Sequence, residues 1–284
     1  MMRPPSSLAL SALAALLLLL PTEASAQEDR RTPAPVKKPE RDESFLFFDV
    51  YSRGAVSTKS VGGLSDWAST FELGLAATIT TGRESRLQGI YEADLSIGGG
   101  DSDVSGVARM YGWVGVSPAK RGPVRPFLRL GTGFDVRGND YFLHSHVDIP
   151  ATQLGFRVLR NDMYFDAGAF SAYTGTGRFN VDGNERKLDG ALAWGGFVET
   201  RGDSTFIPFI GRAEFRSYGD TLASPGVRAW SLKACTTYEK FVVFCMDGMT
   251  ASGVIRADDG PHESWAFSGG LSVGLGYLAP TREL

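Results

Sequence analysis

From Ser44 onward the chain alternates apolar and polar residues with period two, which is how side chains distribute between the two faces of a β-strand. One segment places Trp67, Ser69, Phe71, Leu73, Leu75, Ala77 and Ile79 on a single face, and another does the same with Trp265, Phe267, Gly269, Leu271, Val273, Leu275 and Tyr277. The pattern predicts twelve strands, over 45–55, 66–80, 86–97, 104–117, 124–137, 151–159, 163–173, 188–199, 205–216, 228–238, 241–252 and 264–278. Odd-numbered connections are long (56–65, 138–150, 174–187, 217–227, 253–263; 98–103 is the short exception), and even-numbered ones are short. Long external loops alternating with tight turns around an even strand number predict an all-β fold: a closed, antiparallel, up-and-down barrel with both termini on one side. Its apolar rows exceed the roughly 9–11 tilted residues that cross a bilayer. Trp67, Tyr173, Trp265 and Tyr277 stand near the row ends, where membrane barrels carry aromatic girdles.

The same alternation suits a soluble barrel or sandwich with the apolar rows inside. A closed twelve-strand interior is wide and needs filling, which favours the membrane arrangement. The opposite rows would then face the lumen, and they are charged. The acids are Asp49, Glu72, Glu92, Asp94, Asp135, Asp166, Asp189, Glu199, Glu214 and Asp247; the bases are Arg53, Arg109, Arg125, Arg129, Arg137, Arg157, Arg212, Arg216 and Lys233. This near balance predicts neighbouring acid–base pairs rather than a ring of one sign, and so weak ion selectivity or a lumen filled by a salt-bridge network. Tyr111, Trp113, Phe127, Tyr164 and Phe170 narrow the bore further. Ser268, Gly270, Ser272, Gly274 and Gly276 leave the inner wall of the last strand bare, so free space is expected there.

Ahead of the strands, residues 1–26 have the parts of a secretory signal: a positive start at Arg3, an apolar core from Leu8 to Leu20 and a small-residue cleavage site at Ala24-Ser25-Ala26. Residues 27–43 are charged, contain proline and lack periodicity, as expected of a flexible leader. Residues 44–284 form the barrel domain, ending in a short tail on the side of the termini. Glycine, at 35 of 284 residues, exceeds the usual ~7% and in strands marks bends or close backbone approach. The net charge of −3 gives no argument for nucleic-acid binding.

Export to an oxidising compartment makes a disulfide the expected state of Cys235 and Cys245. With a three-residue turn at Glu239-Lys240-Phe241, Tyr238 faces Val242, Cys235 faces Cys245 and Lys233 faces Asp247, the last two pairs on the lumenal face. Such a bond would contribute at most ~2–3 kcal/mol. His144, His146 and His262 are the only histidines and are expected in exposed loops; as metal ligands they form a weak set, and no cofactor is implied. Gly98 to Asp103 is expected to be a turn rather than a calcium site. Ser145 and Ser264 neighbour histidines without a hydrolase motif around either.

The final strand GLSVGLGY, with alternating apolar residues ending in an aromatic, together with the signal, leader, strands and loop rhythm, resembles the bacterial outer-membrane β-barrel (porin-like) superfamily over residues 44–278. The resemblance implies a Gram-negative outer-membrane location and outer-membrane lipid as the surrounding partner. It does not select among porins, lipid-modifying enzymes, adhesins and anchors. The reading carried forward is a non-enzymatic barrel, acting as a narrow pore for a small solute or as a structural or surface-interaction protein. Its rivals are a lipid-modifying enzyme with its site at the extracellular mouth and a soluble periplasmic β-barrel.

Overall fold

A computed structural model of the chain describes residues 45–61, 64–81, 87–101, 104–117, 124–139, 141–160, 163–181, 184–203, 208–221, 224–238, 241–257 and 260–280. The expected signal, leader and last residues of the tail lie outside them. The strands are β1 (Phe45–Val61), β2 (Leu64–Thr81), β3 (Leu87–Gly100), β4 (Ser105–Val116), β5 (Val124–Asn139), β6 (Phe142–Arg160), β7 (Met163–Val181), β8 (Asn184–Lys187), β9 (Ala191–Asp203), β10 (Pro208–Thr221), β11 (Ser224–Tyr238), β12 (Val242–Ala257) and β13 (Gly260–Pro280). Each long strand pairs antiparallel with its chain neighbours, β7 with β9, and β1 with β13, so twelve strands close into a ring. The short β8 folds back on the tip of β7.

The apolar rows face outward. Leu271 and Leu275 are 71% exposed and Leu73 60%, while Arg129 and Asp166 on the other face are 0–1% exposed. A soluble barrel with its apolar rows inside is thereby excluded. Trp265 and Tyr277 bracket the outward row of β13, and at ~3.3 Å per residue and ~40° tilt the interval between them is roughly 30 Å, a bilayer's hydrocarbon thickness.

Most segments expected as long loops are strand. A strand of 17 residues such as β1 rises roughly 40 Å along the barrel axis, against an apolar band of ~25 Å. The hairpins therefore continue past the band at the end opposite the termini. Beyond the hydrocarbon the outer face no longer has to be apolar, so the alternation fades while backbone pairing continues. Val61 still pairs with Leu64, and Asn139 with Phe142.

The β7–β8 hairpin turns inward at that end. Phe179, Val181 and Leu188 are buried in one cluster with Phe142, Tyr218 and Val227, and Arg186 donates to the Val254 carbonyl at 3.0 Å, so an apolar cap lies over this part of the interior. Asp189, expected in the lumen, instead sits exposed in the turn after β8. It accepts hydrogen bonds from the Gly177 amide (3.0 Å) and the Thr176 hydroxyl (3.1 Å), which hold its carboxyl below the ordinary carboxylate range. β9 starts at Ala191, three residues later than the alternation predicts, after the turn residue Gly190 with its positive φ of 72°. Asp101, just past the end of β3, stays bonded to β2 by accepting from the Ser69 amide and hydroxyl.

Candidate functional site: the barrel interior

Period two places consecutive charges of one strand on the same wall, and the register sets acids against bases across strands. Arg53 lies opposite Glu72, Arg109 opposite Asp135, Arg157 opposite Asp166, and Arg212 opposite Glu199. All four pairs are joined. Arg157 grips Asp166 with two hydrogen bonds of 2.7 and 2.8 Å, Arg212 reaches Glu199 at 3.0 Å, and Arg53–Glu72 and Arg109–Asp135 are both 3.1 Å. Along β10, Glu214 is clasped between its i±2 neighbours Arg212 (2.6 Å) and Arg216.

Further bonds, along single strands, between neighbouring strands and across the lumen, knit these pairs together. Arg129 donates to Asp166 and to Gln153 (3.0 Å), and Arg201 reaches Glu92 (2.5 Å), Glu199 (3.0 Å) and the Thr80 hydroxyl (2.6 Å). Arg53 holds Asp247 through two bonds of 2.8 Å, Arg137 holds Asp135 at 2.8 Å, and Lys233 meets Asp94 at 2.5 Å. Lys233 and Asp247 do occupy opposite positions in the β11–β12 register, as do Tyr238 and Val242, but Lys233 bonds across the lumen to Asp94 and Asp247 reaches over β13 to Arg53. Cys235 and Cys245 face each other and are joined by a disulfide near the end that bears the termini, packed with Phe47, Tyr51, Ala76 and Val243.

Two charged residues escaped the strand boundaries drawn from sequence. Arg201 continues the Glu199-x-Arg201 alternation of β9, and Asp148 extends the inward row of β6; both are buried. The signal for Asp148 was present in His144-x-His146-x-Asp148, a spacing that suits one strand face. The two histidines are accordingly inside the barrel, 2% and 3% exposed, and not in an exposed loop. Their ring centroids lie 5.2 Å apart, with Tyr218 beside both. Nε2 of His146 is 2.8 Å from the Tyr111 hydroxyl and 2.6 Å from Arg216, which also binds Asp148 at 2.6 Å. The side chain of His262 lies outside the described residues. No group of three or more His, Cys, Asp or Glu arranged to hold a metal occurs among the described residues.

The bare inner wall of β13 is largely covered from the neighbouring strand. A Cβ on Gly274 would stand 2.0 Å from Asp49 Oδ1, and one on Gly270 would stand 2.8 Å from Arg53 Nε. These glycines give room to longer side chains, so the wall is a recess rather than a free bore. Asp49 is fully buried there, and neither carboxylate oxygen has a protein hydrogen-bond partner. Toward β4–β9 the filling is aromatic, with Trp113 against Tyr111 (5.9 Å) and Phe170 (6.4 Å), and Phe127 against Phe197 (6.2 Å). Among the described residues, small cavities of about 70, 20, 20 and 10 Å³ lie between these groups.

A closed antiparallel sheet with oily side chains outside and paired charges within is the architecture of a membrane-spanning β-barrel. No protein-family model matches the sequence, and no curated protein matches it. Among solved structures the chain is similar to the translocator domain of autotransporter NalP from Neisseria meningitidis (12% identity, 81% of this chain and 88% of that one, TM-score 0.35). It is also similar to the toluene transporter TodX of Pseudomonas putida (8%, 84% and 90%, 0.34) and to LpxR from Salmonella typhimurium (11%, 78% and 99%, 0.32). The class stated above rests on the chain's own register and polarity.

Proposed function

We propose that the protein is an outer-membrane barrel, closed at rest, which serves as a structural or surface-interaction element rather than as an open porin or an enzyme. In this reading the segment 1–26 directs export and is cleaved after Ala26, both termini lie in the periplasm, and the extended hairpins stand at the cell surface. The observation that supports it most is the filled lumen. The largest of the cavities described above, about 70 Å³, has room for a few waters and not for a hydrated solute. Fixed ion pairs and stacked rings occupy the rest of the cross-section.

A lipid-modifying site at the mouth would need a nucleophile beside a base that lipid can reach. The only histidines with described side chains, His144 and His146, lie beneath the apolar cap, and Ser145 between them projects to the other face of β6. Planar-bilayer recording of the purified full-length protein is the test. Wild-type protein that migrates on a gel as a folded, heat-modifiable species should give no steady open conductance. A stable open channel from that same species would overturn the closed reading.

A further inference from the structure

On the outward face of β11, where the strands leave the hydrocarbon, stands Arg228. It is exposed, and unlike the lumenal arginines joined above it has no ion pair or hydrogen bond among the described residues. The register sets the row to which it belongs. Trp194 on β9 lies opposite Ser217 on β10, Ser217 opposite Arg228, Arg228 opposite Ser252 on β12, and Ser252 opposite Trp265 on β13. A cation between two serines and two tryptophans stands where aromatic girdles mark the edge of the hydrocarbon, a depth at which it costs little. One row closer to the midplane the outward face turns aromatic. Phe215 packs against Trp230 with ring centroids 4.4 Å apart and against Trp194 at 6.3 Å, and Phe267 follows across Thr250. Ser217 is 1% exposed, and neither its hydroxyl nor the shielded indole N–H of Trp194 has a hydrogen-bond partner among the described residues.

We propose that this patch binds the phosphorylated headgroup of a glycolipid in the outer leaflet, with Arg228 as the phosphate ligand. The inference rests on the orientation proposed above, hairpins at the cell surface, and adds to it a lipid class and the residues that select it. An unpaired guanidinium at headgroup depth calls for an anion, and its planar fork can take two oxygens of one phosphate. The hydroxyls of Ser217 and Ser252 and the Trp194 indole add donors beside it. No acid opposes the ligand, since the described residues of the row and of the one beneath it include none, and Glu263, opposite Val254, stands in the next row above. The indoles of Trp194 and Trp265 offer flat apolar faces of the kind that sugar rings stack on, while Phe215, Trp230 and Phe267 make an apolar bed for the first carbons of an acyl chain. Free phosphate would use the guanidinium and leave the aromatic floor unused, so the occupant that fits the whole surface is a lipid.

The test is energy transfer from the tryptophans of the full-length protein, held in phosphatidylcholine nanodiscs, to dansyl-labelled lipid A displaced by unlabelled competitors. Diphosphorylated lipid A should compete about tenfold better than its dephosphorylated form, the scale of one hydrogen bond between charged groups, and better than phosphatidylglycerol, whose phosphodiester carries less charge. Arg228→Gln should remove that preference. The control is Arg178→Gln, at an exposed arginine of the β7 tip already paired with Glu185 at 3.6 Å, and it should bind as wild type does. Equal competition by the phosphorylated and dephosphorylated lipids on wild-type protein would overturn the proposal without recourse to any variant. So would phosphatidylglycerol competing as well as lipid A, or a folded, heat-modifiable Arg228→Gln protein that keeps the preference. Sidedness is read separately, since binding in nanodiscs does not depend on it. A tag at the C-terminus that is labelled on intact cells would strike the orientation and leave the headgroup chemistry standing, which keeps the two failures distinct.

Discussion

Asp166→Asn should lower the stability of the folded barrel by about 3–5 kcal/mol, the range for breaking a buried ion pair and leaving its partners uncompensated. Asp166 is fully buried and takes bonds from two guanidiniums, the pair of 2.7 and 2.8 Å from Arg157 and one from Arg129. The amide keeps the shape and removes the charge, so two cations remain near Glu199 with one carboxylate fewer. Denaturant titration in lipid vesicles, followed by tryptophan fluorescence, reads the change. The contrast is Asp94→Asn, whose partner Lys233 is far more accessible; it should cost no more than about 1 kcal/mol. Equal losses at the two positions would contradict the contrast between a fully buried pair and a partly exposed one.

Leu271→Arg should be the other large effect, at about 2–4 kcal/mol, the cost of a cation at the bilayer midplane on the lipid face of a barrel. Leu271 is 71% exposed and midway between Trp265 and Tyr277 in the outward row of β13. The penalty should depend on depth. Ser252 on β12 is outward, exposed and paired with Trp265, so Ser252→Arg lies at the interface and should cost about 0–1 kcal/mol. The same vesicle titration compares them. A loss at Ser252 as large as that at Leu271 would be incompatible with a hydrocarbon slab around the middle of the barrel.

The charged interior does not make the barrel more stable than an apolar filling would, because desolvation offsets most of the attraction in a buried pair. What it does fix is sidedness. A sheet with one oily and one ionised face has a single orientation that keeps charge out of lipid, and a one-residue slip would expose every ion at once.

That polarity is why much of the fold was legible. Where the outer face meets hydrocarbon, as from Phe71 to Ile79, alternation is enforced and the strands stand out. In the β11–β12 hairpin the two cysteines even set the register, and Cys235 lies opposite Cys245. Above the hydrocarbon the constraint lapses, so 138–150 looked like a loop although Phe142, His144, His146 and Asp148 continue one inward row. Strand ends, unlike strand centres, carry no apolar signature, which hides that Asp189 lies outside the lumen and Arg201 inside it. The partners across the lumen were beyond reach for another reason. Lys233 and Asp94 lie 139 residues apart, and only closure of the ring, with Asp247 drawn away to Arg53, makes them neighbours.

Which face of the sheet touches acyl chains is measured directly by tryptophan quenching with brominated lipid. Trp230 is 52% exposed on the outer face, whereas Trp113 is 1% exposed inside the lumen. In vesicles containing bromine-labelled chains, a variant retaining only Trp230 should lose most of its fluorescence, and one retaining only Trp113 should stay as bright as in unlabelled lipid. Quenching of Trp113 with Trp230 untouched would mean that the sheet is turned the other way round.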